Sequence, residues 1–401
     1  MKLYNDIPVF GEMNDQGALD QITEIMKTAE YTALMADHHL GYSMPIGGVA
    51  AYDGLVSPSG VGYDIACGNK AVKLDIPAEA VVGGIEHIMD RVFSEISFGV
   101  GRNNKEDVDH ALFYDDPAWD IPVAGDLKEM ARAQLGTIGS GNHYVDIFVD
   151  QDDAIWVGCH FGSRGLGHKL ATHFVKEGGG KDDINAAPVL LEANSTLGKE
   201  YIACMELAGR YAYAGRDWVC NKVASILGGV ITDEVHNHHN FAWNENHYGK
   251  DLWVVRKGAT PCFPNQRGFI GGSMGDYSYI IQGRDQAHMG EVHPDAIASL
   301  FSTVHGAGRV MSRSKAAGKK RWKKGKLIVK SEGCITRQMM NDWINPMGVC
   351  LRGAGTDESP HCYKRIDEVL GYHSNTLDIT HKLKPIGVAM AGANEFDPYK
   401  D

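Results

Sequence analysis

Glycine placement limits the folds open to this chain more than any other feature. Of 401 residues 48 are glycine, about 12% against a usual value of roughly 7%. They gather in short phrases rather than at a fixed period, which excludes collagen and argues for tight turns and close backbone approach. Between the phrases run short apolar stretches. "TIGSGNHYVDIFVD" (137–150) is a glycine turn entering a strand, "AIWVGCHFGSRGLGH" (154–168) an apolar strand breaking into a loop, and "DLWVVRKGAT" (251–260) a strand ending in a basic turn. Residues 16–35, 80–97, 125–134 and, longest, 198–226 carry helical spacing, the last with Ile202, Met205, Leu207, Tyr211 and Trp218 among its apolar positions. This irregular order favours α+β over repeating βαβ units. No internal repeat and no Pro/Ser-rich linker divides the chain, so residues 1–401 read as a single domain.

An apolar fraction of 43% suits a packed core, and 22% charged residues argues against global disorder. The net charge of −12, from 39 basic and 51 acidic residues, argues against a general nucleic-acid binder. Any RNA contact has to come from a local basic face. One stretch qualifies: "RSKAAGKKRWKKGKLIVK" (313–330) contains Lys319, Lys320, Arg321, Lys323 and Lys324, one Trp and no acid. It is either a solvated loop or a phosphate-backbone patch. Its place directly after the most site-like phrase favours the patch. With no basic-plus-apolar N-terminal signal and no long apolar run, a soluble, cytoplasmic protein without a membrane partner is expected. The eight cysteines show no CxxC spacing, so most should be free thiols.

Five polar phrases stand at glycine-rich strand ends: Asp64-Ile-Ala-Cys67, Asn142-His143, His160 in "GCHFGSRG", His239-Asn240, and His305 in "HGAGR". A lone histidine usually just satisfies a buried hydrogen bond. Several at strand ends can converge on a ligand. Asp64 and Cys67, three apart, share a face in a helical turn or meet in a tight loop. A thiolate can bridge two ions, with three imidazoles and a carboxylate completing a binuclear set. Softness alone would choose zinc or iron; the competing role for Cys67 is that of a small buried hydrophobe. Neither "EGGGKDD" (177–183) nor "GTIGSG" (136–141) is a Walker or Rossmann cradle. "GGSMGDYS" (271–278) could offer backbone N–H groups and two hydroxyls to a phosphate or base.

Taken together, "DHHLGYSMPIGGVAA" (37–51), "GVGYDIACG" (60–68), "LGTIGSGNHYVDI" (135–147), "HFGSRGLGH" (160–168), "HHNFAWNENHYG" (238–249), "RKGAT" (256–260), "GGSMG" (271–275), "HGAGRVMSR" (305–313) and "YKRID" (363–367) resemble the RtcB family of RNA-splicing ligases over nearly the whole chain. The resemblance implies the α+β fold of that family, two manganese ions and GTP. It implies that His305 becomes guanylylated with Asp37 close by, and that Asp64, Cys67, His143, His160 and His239 are metal ligands, Cys67 shared between the ions. Asn142, Asp146, Ser273, Ser278, Gly306, Ala307, Gly308 and Tyr363 match the nucleotide site, Tyr363 as the residue stacked on guanine. Arg164 and Arg309 are candidate phosphate contacts or structural ion pairs. The implied reaction joins RNA 2′,3′-cyclic phosphate or 3′-phosphate ends to 5′-hydroxyl ends through a histidine–GMP intermediate. Broken RNA, tRNA included, is the implied partner, with an archease-like activating protein as a further one. Two positions depart from the family: Asp146 replaces a glutamate, and Ala391 stands where a lysine near the base is usual. Rival readings are a binuclear metallophosphoesterase, which needs no covalent nucleotide, and an RNA-binding paralogue that has lost ligation.

Overall fold

The computed structural model describes residues 1–181, 183–184, 186–285, 292–323, 326–393 and 395, with side chains throughout except at 320–323, 326, 327 and 329. Two sheets dominate. The larger runs Ile231–His238, Gly68–Pro77, Ala154–Phe161, Tyr144–Val149, Leu377–Gly392, Ser278–Gly283 and Arg267–Ile270, with Cys350–Ala354 pairing in parallel on the long Leu377–Gly392 strand. Its two end strands curl toward each other. Arg267 grips Asp233 with two bonds of 2.9 and 2.7 Å, and the Phe269 N–H donates to Asn237 Oδ1 at 2.9 Å. The result is a nearly closed barrel. Ala71, Phe148, Trp156, Val235, Phe269, Ile280 and Leu383 form one buried cluster, one residue from each of its seven strands.

Period-two alternation sorts the Tyr144–Val149 strand. Phe148 joins that inner cluster, while Val145 and Ile147 join the opposite, helix-covered core. The helix over that face is Thr196–Leu227, 32 residues long, the stretch read as longest in the sequence. Ser195 caps it by accepting from the Gly198 N–H, and Gly228 ends it in the left-handed region at φ 75°. The second sheet runs Lys2–Tyr4, Ile7–Val9, Tyr31–His39, Ile46–Tyr52, Lys250–Lys257 and Asn240–His247.

Three expectations change. The helix expected over 16–35 stops at Ile25, and Tyr31–His39 is a strand. That strand is buried on both faces from Thr32 to His38, so it lacks the alternation that marks a half-buried strand. The apolar stretch from Ala154 does not break into a loop; the strand ends at Phe161 and a helix starts at Arg164. Most of the basic run is a hairpin of Gly318–Lys323 with Lys326–Glu332, preceded by the short helix Arg313–Ala317. All eight cysteines are free thiols. No helix among the described residues is long and apolar enough to cross a membrane.

Candidate metal and nucleotide centre

The two sheets meet where the chain passes from one to the other. Ile231–His238 belongs to the barrel and Asn240–His247 to the second sheet, and His239 lies between them. Around it the ligand candidates fall in a row. Asp64 Oδ2 lies 3.0 Å from His143 Nε2, which is 3.5 Å from Cys67 Sγ. The thiol is 3.2 Å from His160 Nε2, itself 3.2 Å from His239 Nε2. Asp64 and Cys67 meet through a tight turn rather than a helix: the Cys67 N–H donates to Asp64 O, and Ala66 adopts φ 59°. A side chain at Gly162 would overlap the Asp64 carboxylate, so glycine there lets the strand end approach it.

These donors fit a metal better than they fit one another. His160 Nδ1 faces the Asn142 carbonyl at 3.1 Å and so carries the proton, leaving Nε2 bare. That bare nitrogen points at a thiol and at a second imidazole nitrogen. The Nδ1 atoms of His143 and His239 are buried without partners. Burial holds His160 and His239 neutral, far below the ordinary histidine range, reinforced by neighbouring cations. Burial works to raise Asp64, but His143 and Arg164 outweigh it and bring the carboxyl to about 2. One carboxylate, one thiol and three imidazoles lie in line with the sulfur in the middle, and Cys67, His143 and His160 bring their donor atoms close enough to hold a metal ion.

His305 adjoins this row, its ring 4.7 Å from that of His239 and 6.5 Å from that of His160. Its Nδ1 is 2.7 Å from both Asp37 Oδ2 and the Gly258 carbonyl. Two acceptors at Nδ1 place a proton there, so in the neutral ring the lone pair is on Nε2. Asp37 is fully buried; burial would raise its carboxyl, yet His305 and Lys364 hold it below the ordinary range. Oδ2 also accepts from the His305 backbone N–H at 3.1 Å. Gly308, at φ 77°, packs so closely on the Asp37 backbone that any side chain would collide with it.

The nucleotide candidates lie on the His305 side. Gly306 bridges to Gly271, which sets "HGAGR" beside the 271–278 loop. In that loop Ser278 Oγ accepts from the Gly272 N–H at 3.0 Å, and Ser273 Oγ donates to Asp276 at 2.8 Å. Ala307 is buried beside Tyr363 in the core of the second sheet. Tyr363 is bonded to Glu358 and to Arg309, whose guanidinium lies 5.0 Å over its ring. Asp146 is buried, with Oδ1 unpartnered, and burial pushes its carboxyl well up. Tyr144, two residues away on the same strand, has an unpartnered hydroxyl against Gly271. Asn142 contributes its carbonyl to His160.

Arg164 sits on the Asp64–His143 side, bonded to Thr137 Oγ1 and the Gly99 carbonyl, each at 3.3 Å. Arg309 donates to the Asp357 carbonyl at 2.9 Å. Lys319 is exposed on the hairpin, not in the centre. Lys320, Arg321 and Lys323 share its strand, their side chains outside the described ones; Lys324 lies outside the described residues.

Several residues that tie the site together carry no role in the sequence reading. Asn240 ties the halves together, its Nδ2 donating to Asp64 O at 3.2 Å and its Oδ1 accepting from the Gly258 N–H at 2.8 Å. Lys364 donates to the carbonyls of Ala36 and His38, either side of Asp37, both at 2.9 Å. Arg216, wholly buried in the long helix, reaches the turns that carry the ligands. Asn240 and Lys364 stand in the quoted phrases without an assigned role, and Arg216 stands outside all of them.

An α+β protein with a carboxylate–thiol–imidazole row and an adjoining, carboxylate-held histidine carries a metal-capable donor group beside an oriented imidazole. A family model described as tRNA-splicing ligase RtcB matches residues 18–121 and 120–391. The RNA-splicing ligase RtcB of Escherichia coli K12 is 28% identical, over 89% of both chains. The tRNA-splicing ligase RtcB of Archaeoglobus fulgidus is 30% identical, covering 89% of this chain and 86% of its own. That of Thermococcus kodakarensis is 26% identical over 97% of this chain and 94% of its own. The chain belongs to the RtcB family and is an enzyme, an RNA ligase of the RtcB type.

Proposed function

We propose that this ligase uses GTP and two manganese ions to join RNA 2′,3′-cyclic phosphate or 3′-phosphate ends to 5′-hydroxyl ends, with GMP carried on His305. The observation that carries the reading is the setting of His305, whose Nδ1 is held between Asp37 and the Gly258 carbonyl so that Nε2 is the nitrogen left to react, beside the donor row. A metallophosphoesterase, the rival reading, needs no covalent nucleotide, so an adduct on His305 separates the two.

Asp64 and His143 would hold one ion, His160 and His239 the other, and Cys67 would be shared. Bound there, the ions neutralise phosphate oxygens and stabilise the charge that builds up in transfer. His305 Nε2 attacks the α-phosphorus of GTP; the new N–P bond forms as the bond to pyrophosphate breaks. A cyclic end is first opened by water to a 3′-phosphate. An oxygen of that phosphate then displaces His305 and takes GMP. The 5′-hydroxyl attacks the activated 3′-phosphate, closes the phosphodiester and releases GMP. Arg164 and Arg309 would position phosphates, and the basic hairpin would hold the RNA backbone. Asp146, Ser273, Ser278, Tyr363 and the Asn142 and Gly306–Gly308 segments would shape the nucleotide pocket. With the ligands at the barrel side and Asp37 on the second sheet, residues 1–401 act as one catalytic domain in this reading.

Incubation with α-labelled GTP and manganese, then a denaturing gel, tests it. The native chain should become labelled in an acid-labile bond and His305→Ala should not. A labelled His305→Ala chain, or an unlabelled native one, removes the proposed intermediate.

A further inference from the structure

Arg216 is fully buried on the helix Thr196–Leu227, and no ion pair among the described residues includes it. The nearby Asp217 turns instead to Lys70 at 2.5 Å. A buried guanidinium without a carboxylate has to be justified by its hydrogen bonds. Its Nη1 donates to the Ala66 carbonyl at 3.1 Å and the Phe161 carbonyl at 2.6 Å. Nε donates to His236 Nε2 at 2.7 Å, and Nη2 to His238 Nδ1 at 3.0 Å. Arginine has no lone pair to offer, so both ring nitrogens it meets are bare. His238 Nδ1 also lies 3.2 Å from the Ala66 carbonyl, so the guanidinium and this ring converge on the same backbone group.

The places where these bonds land are not random. Ala66 precedes Cys67, Phe161 follows His160, and His238 precedes His239. A side chain at Gly68 would crowd Arg216 Nη1 and overlap the Asn237 carbonyl, so the turn after Cys67 is closed down onto the guanidinium. Ala66 holds a left-handed φ of 59°, which a residue with a Cβ adopts at a cost unless its neighbours fix it. Tyr213, one turn back on the helix, stacks on His238 with ring centroids 4.0 Å apart and adds a second hold on that segment.

We propose that Arg216 is the positioning residue of the metal centre: one planar guanidinium that fixes, at the same time, the three backbone segments delivering Cys67, His160 and His239. The inference rests on the row being the metal site of the proposed reaction. Lysine keeps the charge but offers a single nitrogen, which cannot reach four acceptors spread around a fork. Removing supports behind metal ligands typically costs about 10–100-fold in affinity.

The test is a titration of the full chain, free of GTP and RNA, with manganese, read by the loss of the free-ion EPR signal. R216K should bind about 10–100-fold more weakly than the native chain. The rise in Tm on adding manganese should shrink with it, whatever happens to the Tm of the metal-free protein. If R216K does not accumulate in folded form, His238→Phe, which removes the acceptor of Nη2 and keeps a ring to stack on Tyr213, is titrated instead and should show a smaller loss. Equal affinity in the native chain and in whichever variant is titrated overturns the positioning role. A native chain that takes up no manganese overturns instead the metal site on which it rests.

Discussion

Asp37→Asn isolates the charge behind His305. The substitution keeps the volume, and the Gly258 carbonyl at 2.7 Å still holds the Nδ1 proton, so Nε2 stays bare. What disappears is a negative charge 2.7 Å from Nδ1. When Nε2 bonds to phosphorus, a ring still protonated at Nδ1 becomes cationic, and Asp37 faces that cation in a wholly buried position. At an effective dielectric of about 20, two unit charges 2.7 Å apart attract by about 6 kcal/mol. The Gly258 carbonyl retains part of that stabilisation, so a loss of about 4–5.5 kcal/mol, or 10³–10⁴ in rate, is expected. An Asp-to-Asn change behind another catalytic histidine costs about 10⁴, the same order. Rapid-quench measurement of adduct formation at saturating GTP and manganese reads the step directly. Metal content should not change, because Asp37 is outside the ligand row. An Asp37→Asn chain guanylylated within tenfold of the native rate would refute the argument that this carboxylate stabilises the transfer.

Four other expectations follow from particular contacts. Cys67→Ser should lower metal content at both positions, since a neutral hydroxyl replaces the central sulfur; two tightly held ions per chain by elemental analysis would contradict a shared thiolate. Neutralising Lys319, Lys320, Arg321, Lys323 and Lys324 should weaken RNA binding and flatten its salt dependence without altering GMP loading; an unchanged salt slope returns the run to a solvated role. Burial brings the Lys257 ammonium down to about 7, so between there and the ordinary lysine range the unfolded chain holds a proton that the folded chain lacks. Stability should therefore rise with pH over that window, by up to about 1.4 kcal/mol per pH unit, and Lys257→Met should flatten the rise in denaturant titrations of chelated protein; identical slopes would count against it. Asp146→Glu should widen the preference for GTP over ATP in adduct formation, because the longer carboxylate reaches about 1.5 Å further toward the donors of guanine; an unchanged ratio means position 146 does not set the choice.

The centre was more legible in the sequence than the fold around it. Asp64, Cys67, His143, His160, His239 and His305 stand beside glycines or strand ends, and their convergence is geometry that such phrases exist to allow. The strand Tyr31–His39 hid because burial on both faces erases alternation, leaving an apolar run that helix spacing also fits. The barrel hid for a different reason: its closure rests on Arg267–Asp233 and Asn237–Phe269, contacts between strands some thirty residues apart that look like ordinary surface polarity. Arg216 hid most completely. A charged residue in an amphipathic helix reads as solvent-facing, and only its burial reveals what it supports.

Placing the centre on the seam between two sheets has a mechanical consequence. His143 and His160 stand at barrel strand ends, whereas Asp37 belongs to the second sheet and Gly258 directly follows its strand Lys250–Lys257. His239 sits at the crossing, and Asn240 next to it spans from Asp64 to Gly258. The distance from the donor row to His305 is therefore set by the packing of one sheet on the other, through two adjacent residues. Backbone-directed bonds from Asn240, Asn69 and Lys364 pin that seam, Asn69 reaching the Phe269 and His305 carbonyls at 2.9 and 3.3 Å. Side chains that bond to backbone fix segments rather than single groups, so a substitution at any of them moves several reacting groups together. Such changes should lower GMP transfer even where each ligand is retained, as small displacements of oriented groups do in a step that depends on alignment.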